Sequence, residues 1–209
     1  MRLLIAGAGG HARVVADAAL ATGRFTQVSF LDDRCPESAT PSPWPIIGRL
    51  SDLGAICQDF DSFIPAFGDA RLRLELLEKA LAVGIDCESI VHPRATLSPY
   101  ASVGVGSILC AGSIVAVGAA IGDGCIINTA ATVDHDCSLG RGVHVCPGAH
   151  IAGSVAIGAR TWLGIGAVAK QGIQIGADVV VGAGAVCVAN IRDGVTVVGV
   201  PAREVNKIA

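Results

Sequence analysis

The sequence predicts a small open α/β unit followed by a long parallel β-helix. Two periodicities and one motif predict it. From Ala95 onward an aliphatic residue returns every six positions, and within the same stretch glycines return every eighteen. Before it, a buried-strand pattern runs into Gly7-Ala8-Gly9-Gly10-His11 and then into a helical pattern.

Residues 2–6 (RLLIA) read as a buried strand, and residues 12–23 (ARVVADAALATG) as a helix stopping at Gly23. A second strand (QVSFLDD) closes on Asp32 and Asp33. Residues 36–45 form a Pro/Ser-rich loop. DSFIPAFGDA (61–70) reads as a third strand and turn, and residues 71–84 as a helix with Gly84 as its stop. The order is β-α-β-(α)-β-α, an open α/β unit. Gly7, Gly9 and Ala12 fit G-x-G-x-x-A, with an acidic residue about twenty positions on. Fewer than ninety residues precede the repeat, which is half of a dinucleotide fold and enough for one nucleotide. A mononucleotide-linked ligand is therefore preferred over NAD, and an NAD-dependent oxidoreductase is the rival class. A purely structural glycine turn is the third reading.

Written in blocks of six from Ala95 (ATLSPY, ASVGVG, SILCAG and so on to AVCVAN), the third column holds Leu97, Val103, Leu109, Val115 and their successors. Only Ala169 and Cys187 depart from Leu, Ile or Val, and SIVHPR puts Val91 in the same column. The first column stays small or modest. Gly104, Gly122, Gly140, Gly158 and Gly176 occupy the fourth. Six residues make one short strand and a corner, and three sides make a coil of eighteen. The third-column aliphatic points inward and stacks on its copies, and glycine relieves strain where the backbone turns. Seventeen blocks make between five and six coils, each stable only against its neighbours. The expected division is residues 1–88 and 89–209.

Composition agrees. Glycine is abundant at 27 residues and aromatics reach only 4%. A net charge of −3 points neither to nucleic acid nor to an anionic membrane. The uncharged stretch 95–122 is long enough to span a bilayer, but the repeat runs through it and past Asp123, which excludes that reading. Eight cysteines without C-x-x-C or zinc-ligand spacing read as buried free thiols in a reducing cytosol. No metal is expected.

Of five histidines, His135 stands out. It is flanked by Asp134 and Asp136, while its copies one coil away are Val117 and Gly153. An interruption of a repeat is where function tends to sit. Several segments, GAGGHARVV (7–15), FLDD (30–33), FGD (67–69), HPRA (92–95), INTAATVDHDC (127–137), GVHVCPGAHIAG (142–153) and VGVPAR (198–203), make the chain resemble bacterial nucleotide-sugar acetyltransferases of the NeuD/PglD type. These are hexapeptide-repeat acyltransferases, and the resemblance covers essentially the whole chain.

The resemblance implies a left-handed helix, a homotrimer with acetyl-CoA between neighbouring subunits, and a nucleotide-linked sugar as acceptor. It implies His135 as general base with Asp136 as its partner, although sequence leaves Asp134 as an alternative partner. With no cysteine in a histidine motif, direct attack without an acyl-enzyme is expected. Gly9, Gly10 and His11 would cradle the diphosphate at a helix N-terminus, Asp32 and Asp33 would contact base and ribose, and Gly68 and Asp69 would line the cleft. Arg13 either aids the phosphates or faces solvent. Asn128 either positions substrate or caps a corner. His144 resembles an acetyl-CoA contact near the thioester, with a surface histidine as the alternative. Ile165 and Ala183 match backbone contacts to the cofactor, beside a smooth strip at Gly164 and Gly182. Lys170 and Arg203 are candidates for the CoA phosphates or are simply solvated. His92 caps the start of the β-helix.

The implied reaction is N-acetylation at C4 of a UDP-linked 4-amino-dideoxy sugar for surface glycan synthesis. The alternatives are O-acetylation of a sialic acid or related sugar and N-acetylation of a GDP-linked amino sugar. A non-catalytic sugar-nucleotide-binding protein and the NAD oxidoreductase stand further back.

Overall fold

The computed structural model describes residues 1–34 and 42–205. Residues 36–41 of the expected Pro/Ser-rich loop lie outside the described residues. The first unit comprises β1 (Arg2–Ala6), α1 (Gly10–Ala21), β2 (Gln27–Leu31), β3 (Ile46–Gly48), a short α2 (Leu53–Ile56) between two 3-10 turns, β4 (Ser62–Pro65) and α3 (Ala70–Ala82). The four strands are all parallel, in the order β3-β2-β1-β4. Leu3–Ala6 and Val28–Leu31 are buried without alternation because helices cover both faces of the sheet. One cluster packs Leu3 and Ile5 against Ala12, Val15 and Ala19 of α1. The other packs Leu4 and Leu31 against Leu74, Leu77 and Ala80 of α3.

The sequence reading changes in two places here. The helix α1 starts at Gly10, so His11 lies in its first turn rather than in the preceding loop. The edge strand β3 was not expected. Three residues are too few to show a period, and their extension is set by pairing with Phe30 and Leu31.

From Ile90 to Cys187 the chain forms seventeen two-residue strands, each six positions after the last. Partners lie eighteen residues apart, as in Ile108↔Ile126↔His144. They build three parallel sheets and thus a three-sided, left-handed parallel β-helix. The first face carries Ile90, Ile108, Ile126, His144, Trp162 and Val180; the second Thr96, Ile114, Thr132, His150, Val168 and Val186; the third Ser102, Ala120, Ser138, Ala156 and Gln174. The third-column residues from Leu109 to Cys187 are buried and form one core with small first-column residues such as Ala131, Cys137 and Ala149.

The role expected of the fourth-column glycines is corrected. The turn residue is in the sixth column, where every block from Gly106 to Gly184 has a positive φ, including the non-glycines Ala130, Asp136, Ser154, Arg160 and Asp178. The fourth-column glycines answer to stacking instead. A Cβ on Gly140 would lie 2.6 Å from Ala159 N, and one on Gly164 2.6 Å from Ala183 N.

The two units pack closely. Ile90, Ile108 and Ile126 of the first face share a core with α1. Helix α3 lies along the corner between the third and first faces, where Gly106, Gly124 and Gly142 stack one coil apart. Leu77 and Leu74 sit against these glycines. The next two residues in that column are Arg160 and Asp178, and there Arg71 reaches Asp178 at 2.9 Å. Among the described residues no helix is long and apolar enough to cross a membrane.

Gly140→Ala is expected to destabilise the protein by about 1–3 kcal/mol through overpacking against the adjacent coil. Urea unfolding checks this, with Gly9→Ala as a control, because a Cβ there meets no atom within 4 Å.

Candidate active site

A cavity of about 430 Å³ opens where the ends of β1 and β2 meet the start of α1, lined by Gly7, Gly9, Gly10, His11, Asp32, Asp33, Arg34 and Gly68 among others. Gly9 is the N-cap of α1 and supplies no side-chain cap. The first-turn N–H groups and the helix dipole are therefore available to an anion. Added Cβ atoms on Gly9, Gly10 and Gly68 would meet nothing, so bare backbone lines this wall.

The two adjacent acids differ. The Asp32 carboxylate accepts 2.7 Å bonds from Arg34 Nε and Nη2, a 3.0 Å bond from Arg34 N and a 2.8 Å bond from Ala8 N. These bonds, those from Arg34 foremost, hold it down at a pKa of about 2. Asp32 thus pins the glycine turn. Asp33 Oδ1 accepts from Leu50 N at 3.0 Å, and its second oxygen is unengaged among the described residues. Asp69 does not line the cavity. It caps α3, accepting from Leu72 N at 2.8 Å. Arg34 went unnoticed in the sequence reading, although a cation directly after the FLDD run was the available signal.

The start of α1 brings His11 beside the first face of the β-helix. His11 and His144 have ring centroids 6.3 Å apart, and His144 stands edge-on to Trp162 at the same separation. Burial and the Arg73 charge push the His11 pKa down to about 4 and that of His144 to about 3. Thr129 N donates to Asn128 Oδ1 at 2.8 Å, which turns Asn128 Nδ2 toward His144 Nε2 at 3.2 Å. Neutral His144 therefore accepts at Nε2 and carries its proton on Nδ1. His144 Nδ1 and His11 Nε2 are buried without hydrogen-bond partners among the described residues.

His135 lies elsewhere, at the corner between the second and third faces. Its Nδ1 meets Asp136 Oδ2 at 2.8 Å, while Asp134 Oδ1 accepts from the His135 backbone N–H at 2.7 Å. Asp136 thus holds the ring and Asp134 the main chain. The Asp136 hydrogen bond, helped by both negative charges, raises the His135 pKa above the usual histidine value. Asp136 holds a left-handed φ of 57°, which a short acidic side chain tolerates. The ring occupies the space left by Gly153, where any Cβ would collide with it.

The remaining candidates disperse. Lys170 is exposed on the His135 corner, two coils on from Asp134. Ile165, 60% exposed, and Ala183 lie at the corner between the first and second faces. Arg203 lines a separate cavity of about 380 Å³ at the C-terminal end. Gly164 and Gly182 are held by tight stacking, and Arg13 is exposed. His92 Nδ1 accepts from Arg94 N at 2.9 Å, closing the first turn of the β-helix.

A nucleotide-type cavity joined to a hexapeptide β-helix defines a class, the sugar acyltransferases. Residues 2–80 match the family model described as the PglD N-terminal domain. The acetyltransferase domain of PglB from Neisseria gonorrhoeae FA1090, solved with acetyl coenzyme A, is 42% identical with a TM-score of 0.93, covering 98% of each chain. PerB from Caulobacter crescentus, solved with CoA and GDP-perosamine, is 38% identical with a TM-score of 0.91, covering 98% of this chain and 97% of that one. WeeI from Acinetobacter baumannii AYE is 27% identical with a TM-score of 0.89, covering 98% and 100%. Among curated proteins none matches significantly. The chain belongs to the NeuD/PglD-type sugar acetyltransferases.

The two depressed histidines link stability to pH. Unfolded, both protonate near pH 6.5; folded, they stay neutral to about 4 and about 3. The unfolded state therefore binds more protons in that interval, and stability falls as pH drops from 6.5 toward 4. Urea midpoints across this range check it, with His144→Gln expected to flatten the slope.

Proposed function

We propose that the protein transfers the acetyl group of acetyl-CoA to the C4 amine of a UDP-linked 4-amino-dideoxy sugar, for surface glycan synthesis in the cytoplasm. The observation that carries the mechanism is His135. Its Nδ1 is engaged by Asp136, and among the described residues its Nε2 has no partner at this exposed corner. The amine attacks the thioester carbonyl, and His135 Nε2 takes the proton the amine releases. Collapse of the tetrahedral intermediate expels the CoA sulfur, which receives that proton from His135. Asp136 orients the ring and stabilises the imidazolium. No acyl-enzyme forms.

The cavity of the first unit, residues 1–88, binds the nucleotide, with the diphosphate at Gly9, Gly10 and His11. Asp33 keeps one carboxylate oxygen unengaged among the described residues. Uracil offers one ring N–H, which fits a single acceptor, whereas guanine offers a pair of donors. This favours UDP. A GDP-linked amino sugar is the second reading, favoured by the likeness to PerB, a protein solved with GDP-perosamine. In residues 89–209, Asn128, His144, Ile165, Ala183, Lys170 and Arg203 serve the acyl donor and the reacting centre.

The working form is a homotrimer. His135 stands one whole face away from His11, Asn128 and His144 in the same chain. The second face between them exposes Ile114 and Val168, whereas the third face has no outward aliphatic larger than alanine. Turning three second faces toward a threefold axis buries those side chains. It also brings the His135 corner of one chain against the Asn128 corner of the next, beside His144, completing each site from two chains.

His135→Ala is expected to lose turnover by several orders of magnitude while acetyl-CoA affinity stays within a few-fold. The rate of the unaltered protein should rise with pH through the raised His135 pKa, and Asp136→Asn should shift that inflection to lower pH. Mixing inactive His135→Ala chains with inactive His11→Ala chains should restore roughly a quarter of the sites on random trimer assembly. A panel of UDP- and GDP-linked sugars decides the base. Ping-pong kinetics, a monomer in sedimentation, or no restoration on mixing would overturn the respective parts.

A further inference from the structure

We infer that Arg73 is a positioning residue for the transfer, holding the nucleotide cavity in fixed register with the acyl-transfer face of the β-helix. The inference rests on the acetyl-transfer reading above. Arg73 projects from α3 and is 1% exposed, the bulkiest fully buried side chain among the described residues. Among the described residues its guanidinium is held by carbonyls alone. Nη1 donates to Phe67 O at 2.6 Å and to Gly68 O at 3.1 Å, both from residues that line the cavity. Nε donates to Gly124 O and Nη2 to Gly142 O, each at 2.7 Å, from two stacked corners of the β-helix. One planar group thus ties the cavity wall to two successive coils.

The choice of residue is informative. A buried charge that makes no ion pair among the described residues is costly, and an aliphatic side chain would pack this contact more cheaply. Burial lowers even the arginine pKa, to about 10. Arginine supplies what an aliphatic does not, a rigid fork whose donors reach both units in one geometry. Misplacing a reacting group by about 1 Å can cost about a hundredfold in rate, so such a fork bears directly on turnover. Burial, reinforced by the Arg73 charge, keeps His11 and His144 neutral.

A plain fold clamp is the competing account, and α3 provides its own control. Arg71–Asp178 at 2.9 Å and Arg141–Glu78 at 3.0 Å also tie α3 to the β-helix, through exposed side chains rather than through the cavity wall. The test compares steady-state kinetics of Arg73→Met, Arg73→Lys and the double variant Arg71→Gln/Glu78→Gln, each well below its own Tm. For Arg73→Met, kcat is expected to fall at least tenfold and the KM for the nucleotide sugar to rise, with the acetyl-CoA KM unchanged within twofold. Arg73→Lys, which keeps some donors, should fall between Met and the unaltered protein. The double variant should keep both constants within twofold. Loss of Tm alone, with kcat and KM retained, overturns the inference, as does a parallel rise in both KM values. Should Arg73→Met not fold, Arg73→Lys decides: a kcat within twofold of the original overturns the inference, and a larger fall supports it. An unaltered protein inactive on every sugar counts against the acetyl-transfer reading instead. Arg73 is then judged by calorimetry, where weakened UDP binding with intact acetyl-CoA binding supports the inference and unchanged UDP binding overturns it.

Discussion

Coil-on-coil stacking governs this molecule. A strand of two residues buries almost nothing by itself, and its backbone groups find partners only in the coils above and below. Ile126 pairs with Ile108 on one side and with His144 on the other, and every later strand repeats this eighteen-residue step until the C-terminal hairpin. The interior is so narrow that each side contributes one aliphatic and one small residue. Where coils approach most closely, as at Gly140 and Gly164, even a Cβ has no room. A chain under this constraint has little freedom inside. Its chemistry is confined to the outward residues and the corners.

Corners therefore carry the specific features. At one of them three stacked glycines receive α3, and the column turns to Arg160 and Asp178 at the N-terminal end of that helix. At another, Gly153 opens a gap one coil above His135, and the imidazole fills it. Asp136 occupies the left-handed turn position that glycine takes in most blocks, which sets its carboxylate against the ring it holds. A single structural requirement, positive φ in the sixth column, is met at this point by the residue that also holds the imidazole.

Much of this is legible in the sequence, and the exceptions have physical causes. The repeat is visible because a core one residue wide tolerates few substitutions. The cavity at Gly9, Gly10 and His11 is visible because a helix N-terminus left bare of side chains requires that composition. The strand β3 is not visible, since three residues at a sheet edge are extended only because β2 is there to pair with them. The division of labour between Asp32 and Asp33 is hidden for a similar reason. The two residues are chemically alike, and only the position of Ala8, Arg34 and Leu50 around them separates a structural lock from a carboxylate engaged through one oxygen among the described residues.

By itself the sequence determined the period, the number of coils, the bare glycine turn and the singular His135, since each is a local pattern of side-chain size or charge. Tertiary structure alone decided which atoms meet. It put Asp136 rather than Asp134 on the imidazole, used Asp69 as a helix cap, and brought His11 against His144 across more than a hundred residues of chain. It also buried Arg73 among four carbonyls from two units. These contacts depend on how the first unit sits on the prism, and no local pattern encodes that placement.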